Sequence, residues 1–268
     1  FPTRRSSDLC EDDDALLAGV PPPAPRQRDE AAAIAELVSQ VDVERDAGRL
    51  AEAQASADQV VARAHALGYR PLEARAALAR GRIVQLEMHG DRGAADFANA
   101  THAALVTGDD VLAIEAYARL AWATATVSDP VKAVDGLALI AAITEGAGAR
   151  AAFARALLHN NLGTVALARG DRASARTSFA QARDEARQVA GPGAVELTEI
   201  LANLLIVTDD PGERTRIAAE LIERRTALVG PHHPLTLMAR LNAAFLVDEP
   251  LAARAALATA CPELARLH

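Results

Sequence analysis

Residues 159–182 read HNNLGTVALARGDRASARTSFAQA and consist of two helical patterns separated by Gly170 and Asp171. The second pattern repeats small and aromatic residues every three or four positions, which places them on one helix face: Ala175, Phe179 and Ala182. The first pattern carries Gly163 among apolar residues. A residue without a side chain lets two antiparallel helices touch, because a larger one would push them apart. The stretch therefore predicts a helix hairpin that closes at Gly163.

The same spacing occurs twice more along the chain. Its residues are Gly81, Gly93, Phe97 and Ala100 in one segment, and Tyr117, Leu120, Ala121, Ala133 and Leu137 in another. Helix breaks recur at intervals of roughly 20 residues, at Gly48-Arg49, Gly68-Tyr69, Gly90-Asp91, Gly108-Asp109, Ser128-Asp129-Pro130, Gly146, Gly170-Asp171, Gly191-Pro192, Asp209-Asp210-Pro211, Gly230-Pro231 and Asp248-Glu249-Pro250. A helix pair that repeats about every 40 residues is typical of a solenoid.

We predict an all-α fold, a right-handed superhelical solenoid of about six antiparallel helix hairpins over residues 29–268. The first hairpin, about residues 29–67, is indicated by Gly48-Arg49-Leu50 and Ala53, and the sixth is short and caps the array. Composition agrees with this fold class. Hydrophobic residues make up 50% of the chain and aromatic residues only 3%. A β-sandwich or a doubly wound sheet would need more Val, Ile and aromatic residues.

The segment from His159 to Gly163, with the three residues on the second helix, resembles a tetratricopeptide repeat. The paired Leu-Gly of that repeat is matched by Leu162 and Gly163. The later part resembles the longer repeats of kinesin light chains, because Asn161, Asn203 and Asn242 recur at nearly equal separations. The match departs from the family at Leu205, which stands where a glycine is expected, and in the shorter connections of repeats five and six.

The N-terminal residues differ from the rest. Residues 1–9, FPTRRSSDL, are what a widely used sequencing-adapter sequence encodes, and we interpret them as an assembly artefact. Residues 10–28 combine an acidic cluster with a proline run, which predicts an extended or disordered linker with at most a short helix. The helical-repeat domain then occupies residues 29–268.

Charge and cysteine usage narrow the class of protein. The formal net charge is −8, and no basic patch predicts nucleic-acid binding. Cys10 and Cys261 are far apart and lack CxxC spacing, which fits a reducing compartment, so we expect a cytoplasmic location. Uninterrupted apolar runs, such as residues 136–144, are about half the length of a membrane span. We therefore expect no membrane contact by this chain, and the oligomeric state stays open.

No familiar catalytic motif is present. The sequence lacks GxxxxGK[ST], GxGxxG, HRD, DFG, GxSxG and HExxH, so we expect no enzyme, no metal and no cofactor. The adjacent His232 and His233 lie in a Gly-Pro-His-His-Pro context that favours a turn between repeats over a metal site.

The remaining candidates are surface residues of the first helix in each hairpin, which lines a groove in repeats of this kind. Resemblance to the family implies that Asn161 hydrogen-bonds the backbone of a bound peptide, and Asn160, Asn203 and Asn242 are candidates beside it. These amides could equally bond the neighbouring helix. Arg75 and Arg82 are seven residues apart on one helix face, where they could pair with a carboxylate or phosphate or simply be solvated. Trp122 could contact a ligand or pack between hairpins.

The sequence therefore predicts a non-catalytic protein-interaction module that binds a peptide or a partner's helix. An alternative follows from the acidic, proline-rich stretch before the repeats. It resembles the arrangement in the C-terminal half of large bacterial serine/threonine protein kinases of the myxobacterial type, which implies a regulatory fragment. A third possibility is the sensor region of a large transcriptional regulator.

Overall fold

The computed structural model describes residues 19–86, 90–127, 129–189 and 192–246, together with residues 254, 257 and 258. All regular structure in these ranges is helical. The α-helices are α1 (Arg28–Asp46), α2 (Leu50–Leu67), α3 (Arg70–Leu86), α4 (Gly90–Thr107), α5 (Asp110–Val127), α6 (Leu137–Ala147), α7 (Ala152–Ala168), α8 (Arg172–Ala186), α9 (Pro192–Val207), α10 (Pro211–Val229) and α11 (Pro234–Leu246). Short 3-10 helices cover Pro25–Gln27, Lys132–Val134 and Gly148–Ala151.

The chain divides into two compact units, Phe1–Asn161 and Leu162–His268, and the boundary falls within α7. In the first unit each helix from α1 to α6 packs against its neighbours in the chain. In the second unit α8, α9, α10 and α11 do the same. Helices that are joined by short turns and pack side by side are antiparallel. The predicted all-α class, built from successive helix hairpins, is confirmed.

Glycine and aspartate together make the sharpest turns between helices. Gly170 has φ +78°, a left-handed conformation that ends α7, because only glycine adopts it without strain. The next residue, Asp171, caps α8 by accepting a hydrogen bond from the N–H of Ser174 at 3.0 Å. A hydrogen bond from the side chain of Ser174, together with this backbone bond, holds the pKa of Asp171 below its usual range. Gly108 and Asp109 repeat the arrangement before α5.

One predicted break is wrong. Gly146 lies inside α6, and the chain turns two residues later at Gly148, whose φ is +61°. The positive φ therefore occurs at the second glycine, and Gly146 is an ordinary helical residue with open space around its Cα. The break predicted at Gly90-Asp91 adjoins residues that the structure does not describe, those at Ser128-Asp129-Pro130 and Gly191-Pro192 include one such residue each, and Asp248-Glu249-Pro250 lies outside the described residues.

The predicted close contact of the two hairpin helices at a glycine is present in both units. The ring of Phe179 covers Gly163 so closely that a Cβ built on the glycine would lie 2.5 Å from the nearest ring carbon. Phe97 covers Gly81 in the same way, with a Cβ at 2.7 Å. Both phenylalanines are fully buried. The third predicted hairpin differs: Ala121 and Ala133 are buried, but Ala133 lies in the 3-10 turn Lys132–Val134, and Leu137 begins α6 after Gly136, whose φ is +85°.

By length and composition, one segment among the described residues, Lys132–Ala168, is apolar enough to cross a membrane. It is not a continuous helix, because the 3-10 turn Gly148–Ala151 separates α6 from α7. The 11 residues of α6 would span about 16 Å, roughly half of a bilayer's hydrocarbon thickness. Ile140 in α6 and Leu157 in α7 are buried, so both helices contribute to the protein's own core.

The residues before α1 are hydrogen-bonded to the turn between α2 and α3. The hydroxyl of Tyr69 donates a hydrogen bond to the carbonyl of Pro21 at 2.8 Å, and the side chain of Gln27 donates to the carbonyl of Leu67 at 2.7 Å. The proposed artefact, residues 1–9, and the acidic cluster that follows lie outside the described residues. Most of the predicted sixth hairpin's second helix also lies outside them.

Candidate functional site

A cleft of about 310 Å³ lies in the first unit, between α1 and α3 with one residue from α5. Its apolar walls come from Ala35 and Val38 of α1, Leu78 and Ala79 of α3, and Leu112 of α5; its polar residues are Ser39, Asp42, Arg75 and Arg82. The structure thus brings two of the predicted site residues, Arg75 and Arg82, into one cleft. Charged residues therefore lie at both ends of an apolar middle.

Among the described residues, Arg82 has an ion-pair partner and Arg75 has none. A guanidinium nitrogen of Arg82 lies 3.3 Å from a carboxylate oxygen of Asp42, across the cleft. Arg75 is half-buried, and it has no hydrogen-bond or ion-pair partner among the residues that the structure describes. Its guanidinium is thus free to bind an anion in the cleft. An arginine can bind a carboxylate through two parallel N–H···O hydrogen bonds.

A second layer of charges surrounds the Arg82 end. Asp42 is shared with Arg45, which also pairs with Asp46 at 2.7 Å. On α5, Arg119 pairs with Glu115 at 2.9 Å and donates to the side chain of Gln85 at 3.3 Å. Every carboxylate in this group therefore has an arginine partner.

Burial and neighbouring charges shift two pKa values in this group. Burial lowers the pKa of Arg82, and the charge of Arg119 lowers it further. Burial alone would raise the pKa of Glu115, but the charges of Arg119 and Arg82 outweigh it and leave that pKa below its usual range. When the pairs are set aside, the charge of Arg75 is unmatched. The cleft is therefore suited to an anionic group at its Arg75 end.

Two of the predicted asparagines take part in helix packing. Asn160 and Asn161 are buried in α7, and the Asn161 amide donates a hydrogen bond to the carbonyl of Ala118 on α5 at 2.9 Å. Asn160 in turn donates to the side-chain oxygen of Asn161 at 3.3 Å. Of the two uses that the sequence left open for these amides, the structure shows the bond to a neighbouring helix for Asn161, while the bond of Asn160 stays within α7.

The other predicted residues lie outside the cleft. Trp122 is half-buried and packs against the apolar cluster that contains Leu78 and Phe97. Asn203 is half-buried on α9, and Asn242 is exposed on α11. Near the start of α11, the ring nitrogen Nδ1 of His233 accepts a hydrogen bond from the N–H of Leu235 at 3.2 Å, which is a helix-capping contact.

Sequence reasoning missed Asp42 and Glu115, although a signal for them exists. Arg75 and Arg82 stand six residues before and one residue after the helix crossing at Gly81. The same two positions around Ala121 hold Glu115 and Trp122. In α1 the position equivalent to Gly81 is Val41, because Val41 precedes Ala53 by the same interval that separates Gly81 from Gly93. Counted from Val41, the same two positions hold Ala35 and Asp42. Applying one offset to every repeat would have found both carboxylates.

The helices and their packing define this chain as an all-α helical-repeat protein. No family model matches its sequence, and no curated protein matches it. Among solved structures, it is similar to one described as the crystal structure of BtubC (BKLC) from P. vanneervenii. That similarity has a TM-score of 0.60 and 16% sequence identity, and it covers 84% of this chain and 91% of the other. At this identity the similarity shows the fold alone.

Proposed function

We propose that this chain is a non-catalytic protein-interaction module of the tetratricopeptide type, and that the cleft between α1 and α3 binds an acidic segment of a partner protein. The carrying observation is Arg75, a half-buried arginine on the cleft wall without a partner among the described residues. The repeat type is supported by the closures of Phe97 on Gly81 and of Phe179 on Gly163, because the glycine and the phenylalanine are equally far apart in both.

The chemistry of the cleft favours a peptide that is both acidic and apolar. The walls at Val38, Leu78 and Leu112 offer contact for an apolar side chain. Desolvating apolar surface contributes roughly 25 cal/mol per Å², and the free guanidinium adds selectivity for a carboxylate. An acidic cluster with an apolar neighbour would satisfy both parts of the site.

A selection from a phage library of random 12-residue peptides tests this proposal. Peptides enriched on the full chain should carry Asp or Glu with a nearby apolar residue, and Arg75→Gln should weaken their binding at least tenfold. Arg70→Gln is the matched control, because Arg70 is exposed on the same helix and lies outside the cleft. Peptides that bind the two variants equally would contradict the proposed site.

The kinase-associated alternative concerns the parent protein and leaves the cleft's role unchanged. It is supported only by the acidic and proline-rich stretch before the repeats. Sequencing the source DNA upstream of Glu11 tests it. An open frame that runs into a kinase-like domain would make the repeats a regulatory arm, and a nearby start codon would leave a free-standing adaptor.

A further inference from the structure

The residues that line the cleft follow a helical register on both of its long walls. On α1 they are Ala35, Val38, Ser39 and Asp42; on α3 they are Arg75, Leu78, Ala79 and Arg82. The steps between successive residues are three, one and three positions in each helix. Each residue on α3 therefore lies the same number of positions after its counterpart on α1. The two walls are therefore matching faces of two helices that run in the same direction, since α2 reverses the chain once and α3 reverses it again.

Two such faces side by side form the kind of groove into which a third helix packs. Side chains spaced three and four residues apart on adjoining helices create holes that accept the side chains of a further helix. From Arg75 to Arg82 the cleft follows α3 for seven steps of the chain, which corresponds to about 10.5 Å or two helical turns. An apolar side chain from a bound helix would contact Val38 and Leu78, with Leu112 at the edge of the same site.

The lining offers little to an extended peptide. A strand must place its backbone N–H and C=O groups against polar partners, and leaving them buried without partners is costly. None of the residues that line the cleft is Asn or Gln. The hydroxyl of Ser39 donates to the carbonyl of Ala35 in its own helix at 3.2 Å. A helix satisfies its backbone hydrogen bonds internally, so it can lie against apolar walls.

The charges fix how such a helix would be placed. At one end of the cleft Arg75 is opposite Ala35, and its charge is unmatched. At the other end Arg82 is already paired with Asp42, so this end is close to neutral. A carboxylate on the bound helix therefore belongs at the Arg75 end, and its apolar residue belongs one turn further along.

We propose that the partner of this cleft is an amphipathic α-helix that lies along α1 and α3, with one Asp or Glu on Arg75 and an apolar residue three or four positions away over Val38 and Leu78. This inference rests on the proposed function of the cleft and specifies its ligand. The sequence left two kinds of ligand open, an extended peptide and a partner's helix, and this inference specifies the helix.

Two display libraries selected on the full chain test the inference. The first randomises one exposed face of a stable helical hairpin, and the second randomises 12-residue linear peptides with a fixed central proline, which cannot form a continuous helix. Both selections are repeated on Arg75→Gln and on Arg70→Gln. We expect the helical library to yield binders at least tenfold tighter than the linear library. These should carry an acidic and an apolar residue three or four positions apart and should lose at least tenfold in affinity with Arg75→Gln alone.

The outcomes separate the two claims. Arg75-dependent binders that come from the proline library with equal or greater affinity would overturn the helical ligand and leave the proposed function in place. Binders that are insensitive to Arg75→Gln, or no binder from either library, would overturn both. The result expected here requires both the helical library and Arg75.

Discussion

Phe179 lies against Gly163 so closely that the glycine has no room for a single added carbon. The nearest ring carbon would be 2.5 Å from a Cβ at this position, and the ring is fully buried. Because neighbouring Cβ contacts are rarely under 3.0 Å, any side chain at Gly163 must displace the ring or separate the two helices. The hairpin closure that the sequence predicts is therefore a contact of backbone with an aromatic ring.

Replacing Gly163 with alanine should lower the free energy of unfolding by about 1–3 kcal/mol, since it overpacks a buried contact. The matched control is Gly146→Ala. Gly146 is an exposed helical residue with no atom near its missing Cβ, so that change should stabilise by roughly 0.5–1 kcal/mol. Urea unfolding of the two variants measures both effects. Equal stability of the two variants would show that the closure is misassigned.

Asn161→Ala should lower the free energy of unfolding by about 1–2 kcal/mol, because it removes a buried hydrogen bond between α7 and α5. Asn242→Ala serves as the control, since Asn242 is exposed on α11 and should change stability little. Thermal unfolding followed by circular dichroism makes the comparison. If Asn161→Ala keeps full stability and instead loses affinity for a selected peptide, the amide belongs to a ligand site.

The protein should be more stable with phenylalanine in place of Tyr117. Its hydroxyl is buried without a partner among the described residues, so Tyr117→Phe removes a desolvated polar group and should raise the unfolding free energy by up to about 1 kcal/mol. Tyr69→Phe is the counterpart, because it removes the hydrogen bond to Pro21 and should not stabilise. Chemical denaturation at neutral pH distinguishes them, and a loss of stability in Tyr117→Phe would contradict the assignment.

The same tyrosine should make the protein sensitive to alkali. Burial, with a smaller contribution from the charge of Asp135, raises the pKa of Tyr117 to about 12. A pKa above the unfolded value of 10.0 stabilises the fold while the ring is neutral. This contribution is complete below pH 10 and is lost as the pH rises toward 12. Tyr117→Phe should therefore lose less stability over that interval than the wild type, and an identical loss would refute the prediction.

Glu115 should contribute to stability at neutral pH and lose that contribution in acid. Its pKa in the folded protein is below the ordinary value of 4.5. The carboxylate form is therefore favoured by folding above pH 4.5, and the advantage disappears as the pH falls through the lowered pKa. Unfolding curves between pH 7 and pH 3 should show a smaller acid loss for Glu115→Gln than for the wild type. Parallel curves would mean that its pairing with Arg119 does not affect folding.

The closures and most turns could be predicted because they depend on local spacing. Gly163 and Phe179 lie on the two helices of one hairpin, so a pattern along the sequence is enough to pair them. The prediction at Gly146 was wrong because a helix can contain a glycine, and the turn uses the positive φ that occurs at Gly148. Spacing alone does not show which of two nearby glycines adopts it.

The cleft was predicted only in part. Arg75 and Arg82 could be placed on one face because they belong to one helix. Asp42 belongs to a different helix from Arg82, with the whole of α2 between them in the sequence, and its role in the cleft depends on the packing of α1 against α3. The use of Asn161 also depended on a neighbouring helix, because only the packed structure shows that Ala118 presents a carbonyl to it.

Mapping the binding site of a selected peptide by backbone amide chemical shifts tests the central claim most directly. A peptide from the random library, titrated into the full chain, should shift the amides of residues 35–42 and 75–82 most strongly, and Arg75→Gln should abolish those shifts at the same concentration. Shifts that centre on other helices, or that persist in Arg75→Gln, would contradict the account of this cleft as the protein's ligand site.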